Sequence, residues 1–335
     1  MFEYFNLNEL TEVKELKSPQ DKFFNTYYIE ELPDNVFKRD CYVCFSGGAD
    51  STLLLDQVAE RCNKVKGKCI AVSYNATHYS QPKFEIEELK RNIILDELCH
   101  RGRMIEQIKL KLEFMNYNYY QSFYPDTSKL HNMHAMQQLS WIANAALLIK
   151  NNSSLFLGYT FNDSTFWRFG DKFQSLIKNI ISIANIENLG IYLPLADKPK
   201  HLILSKLHDM KLLDKVWSCE TLYKDINGSK RKPCGQCSSC VENIKALILL
   251  NQVFPTNEKY DWVRDILKND YDIIISRNTL NNTPTEFVAV EETTKAEDKE
   301  ENKSSDTNNS NNSNNSISNS NDTDIDCSNI NITFD

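Results

Sequence analysis

Apolar positions along the chain fall into short compact runs separated by stretches of helical period. Cys41–Phe45, Lys68–Tyr74 and Ser154–Gly158 are runs of strand length rich in apolar residues, the pattern of strands buried on both faces. Phe23–Ile29, Met104–Ile108 and Ile191–Leu193 read as further strands, and Leu32-Pro33-Asp34-Asn35 as a turn. Between them, apolar residues recur at helical spacing: from Leu53 through Val58 and Ala59, over Glu85–Cys99, over His131–Lys150, and over Asp171–Asn185 with Phe173, Leu176, Ile177, Ile180 and Ile181. Pro199 suits the first position of a helix reaching about Met210, and Val241–Asn251 continues as another. Strands alternating with helices predict an α/β fold, a doubly wound parallel sheet with helices on both faces. Ligands of such sheets bind beyond the carboxyl ends of the strands. That rule gathers residues 46–52, Tyr74–His78, Gly158–Trp167 and Leu195–Lys200 around one crevice.

The strand Cys41–Phe45 runs into Ser46-Gly47-Gly48-Ala49-Asp50-Ser51-Thr52 and then into a helix. The two glycines can take positive φ and let backbone approach a ligand. The first helical N–H groups point outward at the positive end of the macrodipole, and Ser46, Ser51 and Thr52 add hydroxyls. The expected ligand is phosphate or pyrophosphate. No Gly-Lys-Ser/Thr follows, so this is not a Walker A loop, and the glycine spacing is not that of a dinucleotide fingerprint.

Charge divides the chain. The formal net charge of −8 resides wholly in residues 291–335, where eleven acidic residues face three lysines, and the first 290 residues are balanced. No basic surface for nucleic acid follows from such a balance. No run is apolar enough to span a membrane, and Met1-Phe2-Glu3-Tyr4 opens no signal peptide, so the expected location is cytoplasmic. Ten cysteines without an export signal favour free or metal-bound thiols. From about Phe287 the chain turns acidic and then rich in Asn and Ser, which cannot bury enough apolar area to order itself. Four regions are expected: an extension over 1–40, a phosphate-binding α/β domain over 41–215, a cysteine-bearing helical region over 216–286, and a disordered tail over 287–335.

Cys219, Cys234, Cys237 and Cys240 offer four thiolates, the last three at Cys-x-x-Cys-x-x-Cys spacing. They suit a tetrahedral zinc with no open position and hence a structural role; an iron–sulfur cluster is the chemical competitor. Gly235 eases a turn that aims backbone amides at the sulfurs. Cys41 and Cys44 point to opposite faces of a strand and form no site. His131 and His134 find no partner cluster, and Cys62, Cys69 and Cys99 read as small core residues.

Ser-Gly-Gly-x-Asp-Ser resembles the pyrophosphate loop of the PP-loop ATPases, the N-type ATP pyrophosphatases with their Rossmann-like, adenine nucleotide alpha hydrolase-like fold. Together with the cysteine cluster, the stretch from about Cys41 to Leu250 resembles the 7-cyano-7-deazaguanine synthase (QueC) family. Gly158 to Asp163 is similar to that family's segment after its fourth strand, Asp171 and Phe173 to its Asp-x-Phe, Leu193-Pro194-Leu195 with Lys200 to its spacing for a lysine heading the next helix, and Trp217-Ser218-Cys219 to its entry into the zinc site.

The resemblance implies an ATP-dependent carbon–nitrogen ligase. A carboxy-deazaguanine would be adenylated, ammonia would give the amide, and a second activation the nitrile, with AMP and pyrophosphate released. It implies ATP and Mg2+ at Ser46, Gly47, Gly48, Ala49, Asp50, Ser51 and Thr52, Lys200 acting with Asp50 on the α-phosphate, Zn2+ at the four cysteines, and Tyr74 and Asp163 toward the substrate; it also allows a homodimer. A solvated helix-start lysine and a loop cap are the plainer readings of Lys200 and Asp163.

The chain departs from the family at Tyr74-Asn75-Ala76, where Tyr-Gly-Gln is usual, and at His131 to Met136, where Gly-Arg-Asn is usual. ATP chemistry thus reads as retained and the substrate pocket as altered. QueC-like proteins in antiviral systems supply a second reading, in which an activated deazaguanine is attached to a protein or another acceptor. A non-catalytic nucleotide-binding scaffold is a third.

Overall fold

The computed structural model describes residues 24–25, 27–76, 81–112, 141–160, 170–219, 222–224, 231–253, 258–271 and 273. Its centre is a parallel sheet of β1 (Phe24–Asn25), β2 (Asp40–Cys44), β3 (Lys68–Ala76), β4 (Ile105–Leu112), β5 (Ser154–Phe156) and β6 (Gly190–Tyr192). The spatial order is β1-β6-β5-β2-β3-β4, and every pairing is parallel. The chain first builds outward from β2 to β4, then returns to the other side of β2 with β5. The order therefore reverses between β2 and β5, the position where α/β sheets open a ligand crevice.

Strand alternation divides the core into two layers. Cys41, Val43, Phe45, Cys69, Ala71, Phe156 and Tyr192 face one way, against α1 (Asp34–Phe37), α2 (Ala49–Val65) and α3 (Gln81–His100). Tyr42, Ile70, Val72, Tyr74, Leu155, Leu157 and Ile191 face the other, against α4 (helical over 141–148) and α5 (Gly170–Ile183). A side-chain period of two on strands covered on both sides produces this division. The doubly wound α/β fold expected from the sequence is present. α6 (Lys200–Asp209), α7 (Ser238–Val253) and α8 (Asp261–Tyr271) pack onto the first layer through Ile203, Leu207, Leu247, Leu250, Val263 and Leu267. An antiparallel hairpin, β7 (Leu222–Lys224) with β8 (Arg231–Pro233), stands apart from the main sheet.

Several boundaries differ from the sequence reading. The turn expected at Leu32–Asn35 is instead the approach to α1, with Pro33 as N-cap and Val36 and Phe37 buried; four residues are too few for helical periodicity to register. Pro199 caps α6 from outside, so Lys200 is its first residue. β4 starts after Met104, which is largely exposed, and runs on to Leu112. Cys99 is exposed rather than a core residue. The hairpin and α8 were not foreseen. The segment 287–335, His131, His134 and Asp163 lie outside the described residues.

Candidate active site

Ser46 to Gly48 forms a loop and Ala49 to Thr52 the first turn of α2, the two wired together by their own side chains. Phe45 N–H still donates to Val72 O at 2.8 Å, holding the loop's start to the sheet. Gly47 then takes φ +84°, and Gly48, with φ −77° and ψ 171°, serves as N-cap of α2. Ser46 Oγ lies 3.0 Å from Ser51 Oγ and accepts from Gly48 N–H at 3.3 Å, while Ser51 Oγ donates to Gly48 O at 3.2 Å. The loop is thereby held in shape by its own side chains, and the N-terminus of a 17-residue helix opens onto it. Thr52 is fully buried and its Oγ1 has no hydrogen-bond partner.

Two segments distant in sequence complete the front of the loop. Lys200, heading α6, places Nζ 2.6 Å from Asp50 Oδ2. The other carboxylate oxygen, Oδ1, is buried with no hydrogen-bond partner. Gly158, just beyond β5, lies so close that a Cβ there would sit 3.4 Å from both Ser51 Cα and Ser51 N. The loop, the end of β5 and the head of α6 therefore meet at the sheet's switch point. Three of the four stretches that the strand-end rule gathered thus send described residues to one place.

The fourth, at Tyr74, faces elsewhere. Tyr74 is 6% exposed, stacks at 5.5 Å on Trp141, and donates its hydroxyl to Trp141 O at 2.6 Å. Burial holds its pKa well above the usual phenol value. Trp141 occupies one face of its ring, and its hydrogen is committed to a carbonyl. Phe173 is buried in the same layer.

The cysteine cluster abuts the loop from the side. The four sulfurs of Cys219, Cys234, Cys237 and Cys240 all lie within 4.8 Å of one another. Cys219 Sγ accepts from Cys234 N–H at 3.2 Å, and Cys234 Sγ accepts from Gln236 N–H at 3.4 Å and Cys237 N–H at 3.2 Å. Gly235, at φ +70°, makes that turn possible. Amides aimed at sulfur suit thiolates. The neighbouring Cys237 sulfur pushes the Cys219 thiol up to about 12, and the Cys219 sulfur pushes Cys240 up as well. Four sulfurs this close cannot all ionise unless a cation sits among them. The donor set fits zinc.

Trp217 and Ile86 pack on Cys219 and Cys240. Trp217 N–H donates to Gly47 O at 3.0 Å, and a Cβ on Gly48 would lie 3.6 Å from Ser218 Oγ. The cysteine cluster and the glycine-bearing loop thus share one connecting segment.

Sequence reasoning missed Arg91. It lies on α3, 2% exposed, with Nη1 3.4 Å from Ser46 O. Its spacing of three and seven from the buried Ile94 and Leu98 could have placed it on the inner face of the helix.

Among solved structures, NMN synthetase from Francisella tularensis is similar at a TM-score of 0.35 and 11% identity, over 72% of this chain and 90% of that one. No curated protein matches the sequence. Residues 40–251 match the family model described as queuosine biosynthesis protein QueC, a span from the first residue of β2 to within two residues of the end of α7. The chain belongs to the QueC family of PP-loop ATPases, ATP-using enzymes of ligase type.

Proposed function

We propose that this protein adenylates the carboxylate of a 7-carboxy-7-deazaguanine-type substrate and passes the acyl group to ammonia. A carboxylate oxygen attacks the α-phosphorus of ATP, and pyrophosphate leaves. Ammonia then displaces AMP at the carbonyl carbon and loses a proton, giving the amide. A second ATP adenylates the amide oxygen, and loss of AMP and two protons leaves the nitrile.

The observation that carries this reading is the approach of Lys200 to Asp50, 2.6 Å across 150 positions of sequence, at the mouth of a phosphate loop. A cation fixed there can neutralise charge that develops on the α-phosphate, the preorganised electrostatics on which such transfers depend. The loop's hydroxyls and the amides at the head of α2 hold the departing pyrophosphate. The unpartnered Asp50 Oδ1 fits the magnesium that accompanies ATP, which when bound supplies further neutralisation of phosphate charge.

Lys200 and Asp50 also weigh against a purely binding scaffold, which needs no such pair. Asp163 is proposed to read the guanine-like edge of the substrate, and Tyr74 to support the pocket wall through its stack on Trp141. The zinc-bound cysteine segment is proposed to brace the loop through Trp217.

The test is AMP and pyrophosphate release by purified protein given ATP, magnesium and carboxy-deazaguanine, with and without ammonium. Release that requires both carboxy-deazaguanine and ammonium is expected. Release independent of carboxy-deazaguanine would overturn the substrate assignment. Release without ammonium, accompanied by a base-sized mass added to a protein, would favour the acceptor reading.

A further inference from the structure

We infer that Arg91 is a positioning residue of the phosphate loop, a buried cation that tunes the loop's affinity for pyrophosphate from behind. This rests on the ATP-binding reading of residues 46–52 and adds to it a residue from a different element.

Arg91 belongs to α3, 45 positions along the chain from Ser46 with α2 and β3 between them, yet its side chain packs against the loop. A Cβ on Gly47 would lie 2.8 Å from Arg91 Cγ and 3.8 Å from Cδ. The absence of a side chain at Gly47 is what admits the arginine stem. The guanidinium then ends at Ser46, with Nη1 3.4 Å from its carbonyl oxygen, and its side chain is only 3% exposed.

Two charges on the same helix moderate it. Glu87 Oε2 lies 3.8 Å from Nη1, and Glu88 also acts on the group. Burial lowers the arginine's pKa and the two glutamates raise it; a guanidinium keeps its proton regardless at neutral pH. The other charged pair at the loop is Lys200 with Asp50.

Two physical effects follow. A cation in a low-dielectric setting attracts an anion on the loop more strongly than a solvated lysine would. Ser46 C=O and Gly47 N–H also belong to one peptide unit. A guanidinium beside the oxygen polarises that unit and makes its N–H a better donor to phosphate. Neither effect touches the adenosine half of the nucleotide. Arg91 should therefore discriminate between ligands that carry phosphate and ligands that do not, which a residue that merely fills space would not do.

The experiment is calorimetric titration of the full chain with magnesium pyrophosphate and, separately, with adenosine, for wild type, Arg91→Met and Arg91→Lys. Arg91→Gln is a second neutral variant should methionine fail to fold. The expected result is pyrophosphate binding weakened by about tenfold in the neutral variant, as for a loss of roughly 1.4 kcal/mol of charge interaction. Binding should be largely restored in Arg91→Lys, with adenosine affinity unchanged throughout. Equal pyrophosphate binding by wild type and the neutral variant overturns the inference, as does a parallel loss of adenosine binding or a lysine variant as weak as the neutral one. A wild-type chain that binds no pyrophosphate overturns the inference together with the ATP-binding reading beneath it.

Discussion

Lys200 Nζ and Asp50 Oδ2 stand 2.6 Å apart, joining the head of α6 to the first turn of α2. The lysine side chain is 12% exposed and the carboxylate 25%. Neither is so deep that the pair must be structural, and both sit at the N-terminal end of α2, beside the proposed phosphate loop. Lys200→Met and Asp50→Asn are each expected to reduce ATP-dependent turnover by about 10²–10³-fold, the usual cost of removing one electrostatic stabiliser. The double variant should lose little more than either single, since groups acting as a unit are not additive. Stability should fall by less than the ~3–5 kcal/mol of a fully buried broken pair, because water still reaches Asp50. Steady-state pyrophosphate release and thermal melts measure both.

Two glycines separate function from folding. At Gly47 a Cβ would press Arg91 Cγ at 2.8 Å while φ +84° strains any other residue. At Gly67 a Cβ would fall 1.8 Å from Phe37 O, which is backbone and cannot step aside. Gly47→Ala should still fold, because the clash is with one side chain and not with backbone, but at a cost in stability, since Cγ lies too near the arginine's own backbone to swing aside, and it should lose most of its nucleotide affinity. Gly67→Ala should cost more than the ~1–3 kcal/mol of ordinary overpacking, with a lowered melting temperature and, in the folded fraction, unchanged ATP affinity.

The contrast between those sites shows what the chain made legible. The loop announced itself because its glycines, hydroxyls and acid are contiguous and stand between a strand and a helix. The cysteines did so because three fall within seven residues. Strand alternation also sufficed to set Cys41 and Cys44 on opposite faces, which the two core layers bear out. Contacts that depend on tertiary approach were not legible. The spacing of Arg91 from Ile94 and Leu98 hints at an inner helix face, but its approach to Ser46 O exists only in the fold. Trp217 N–H reaches Gly47 O across 170 positions of sequence. α1 reads as a turn because its four residues span barely one helical turn, too few for the period to repeat.

Metal content is expected to be one zinc per chain, held by Cys219, Cys234, Cys237 and Cys240. Cys237→Ser, or a strong chelator, should lower the melting temperature. It should also change Trp217 fluorescence, since that indole packs on Cys219 and Cys240 and donates to Cys219 O at 3.1 Å. Because the backbone N–H of Trp217 holds Gly47 O, metal loss should weaken ATP binding even where the sheet remains folded. Metal affinity should fall as pH drops, because the sulfurs must lose protons to bind. Elemental analysis with absorption spectroscopy would distinguish colourless zinc from an iron–sulfur cluster.

Thiol chemistry tests the packing around Tyr74. Burial pushes the Cys44 thiol up to about 12, only partly offset by its contact with the Tyr74 hydroxyl, whose oxygen lies 3.9 Å from the sulfur. Cys99 is exposed. At pH 8 the thiolate fraction at Cys44 is then about 10⁻⁴, and thiolate is the reactive form. A brief iodoacetamide pulse on the native protein should therefore mark Cys99 and leave Cys44 untouched until denaturant is added. The sign of the linked stability effect follows from the raised value. Between the ordinary thiol value of 9.0 and about 12, the folded chain keeps a proton that the unfolded chain releases, so stability falls as pH climbs through that window. Cys44→Ala should flatten this alkaline loss relative to wild type in melts between pH 8 and 10. Rapid native labelling of Cys44, or an alkaline melting profile unaffected by its replacement, would show that Tyr74 and Trp141 do not seal the sheet at this point.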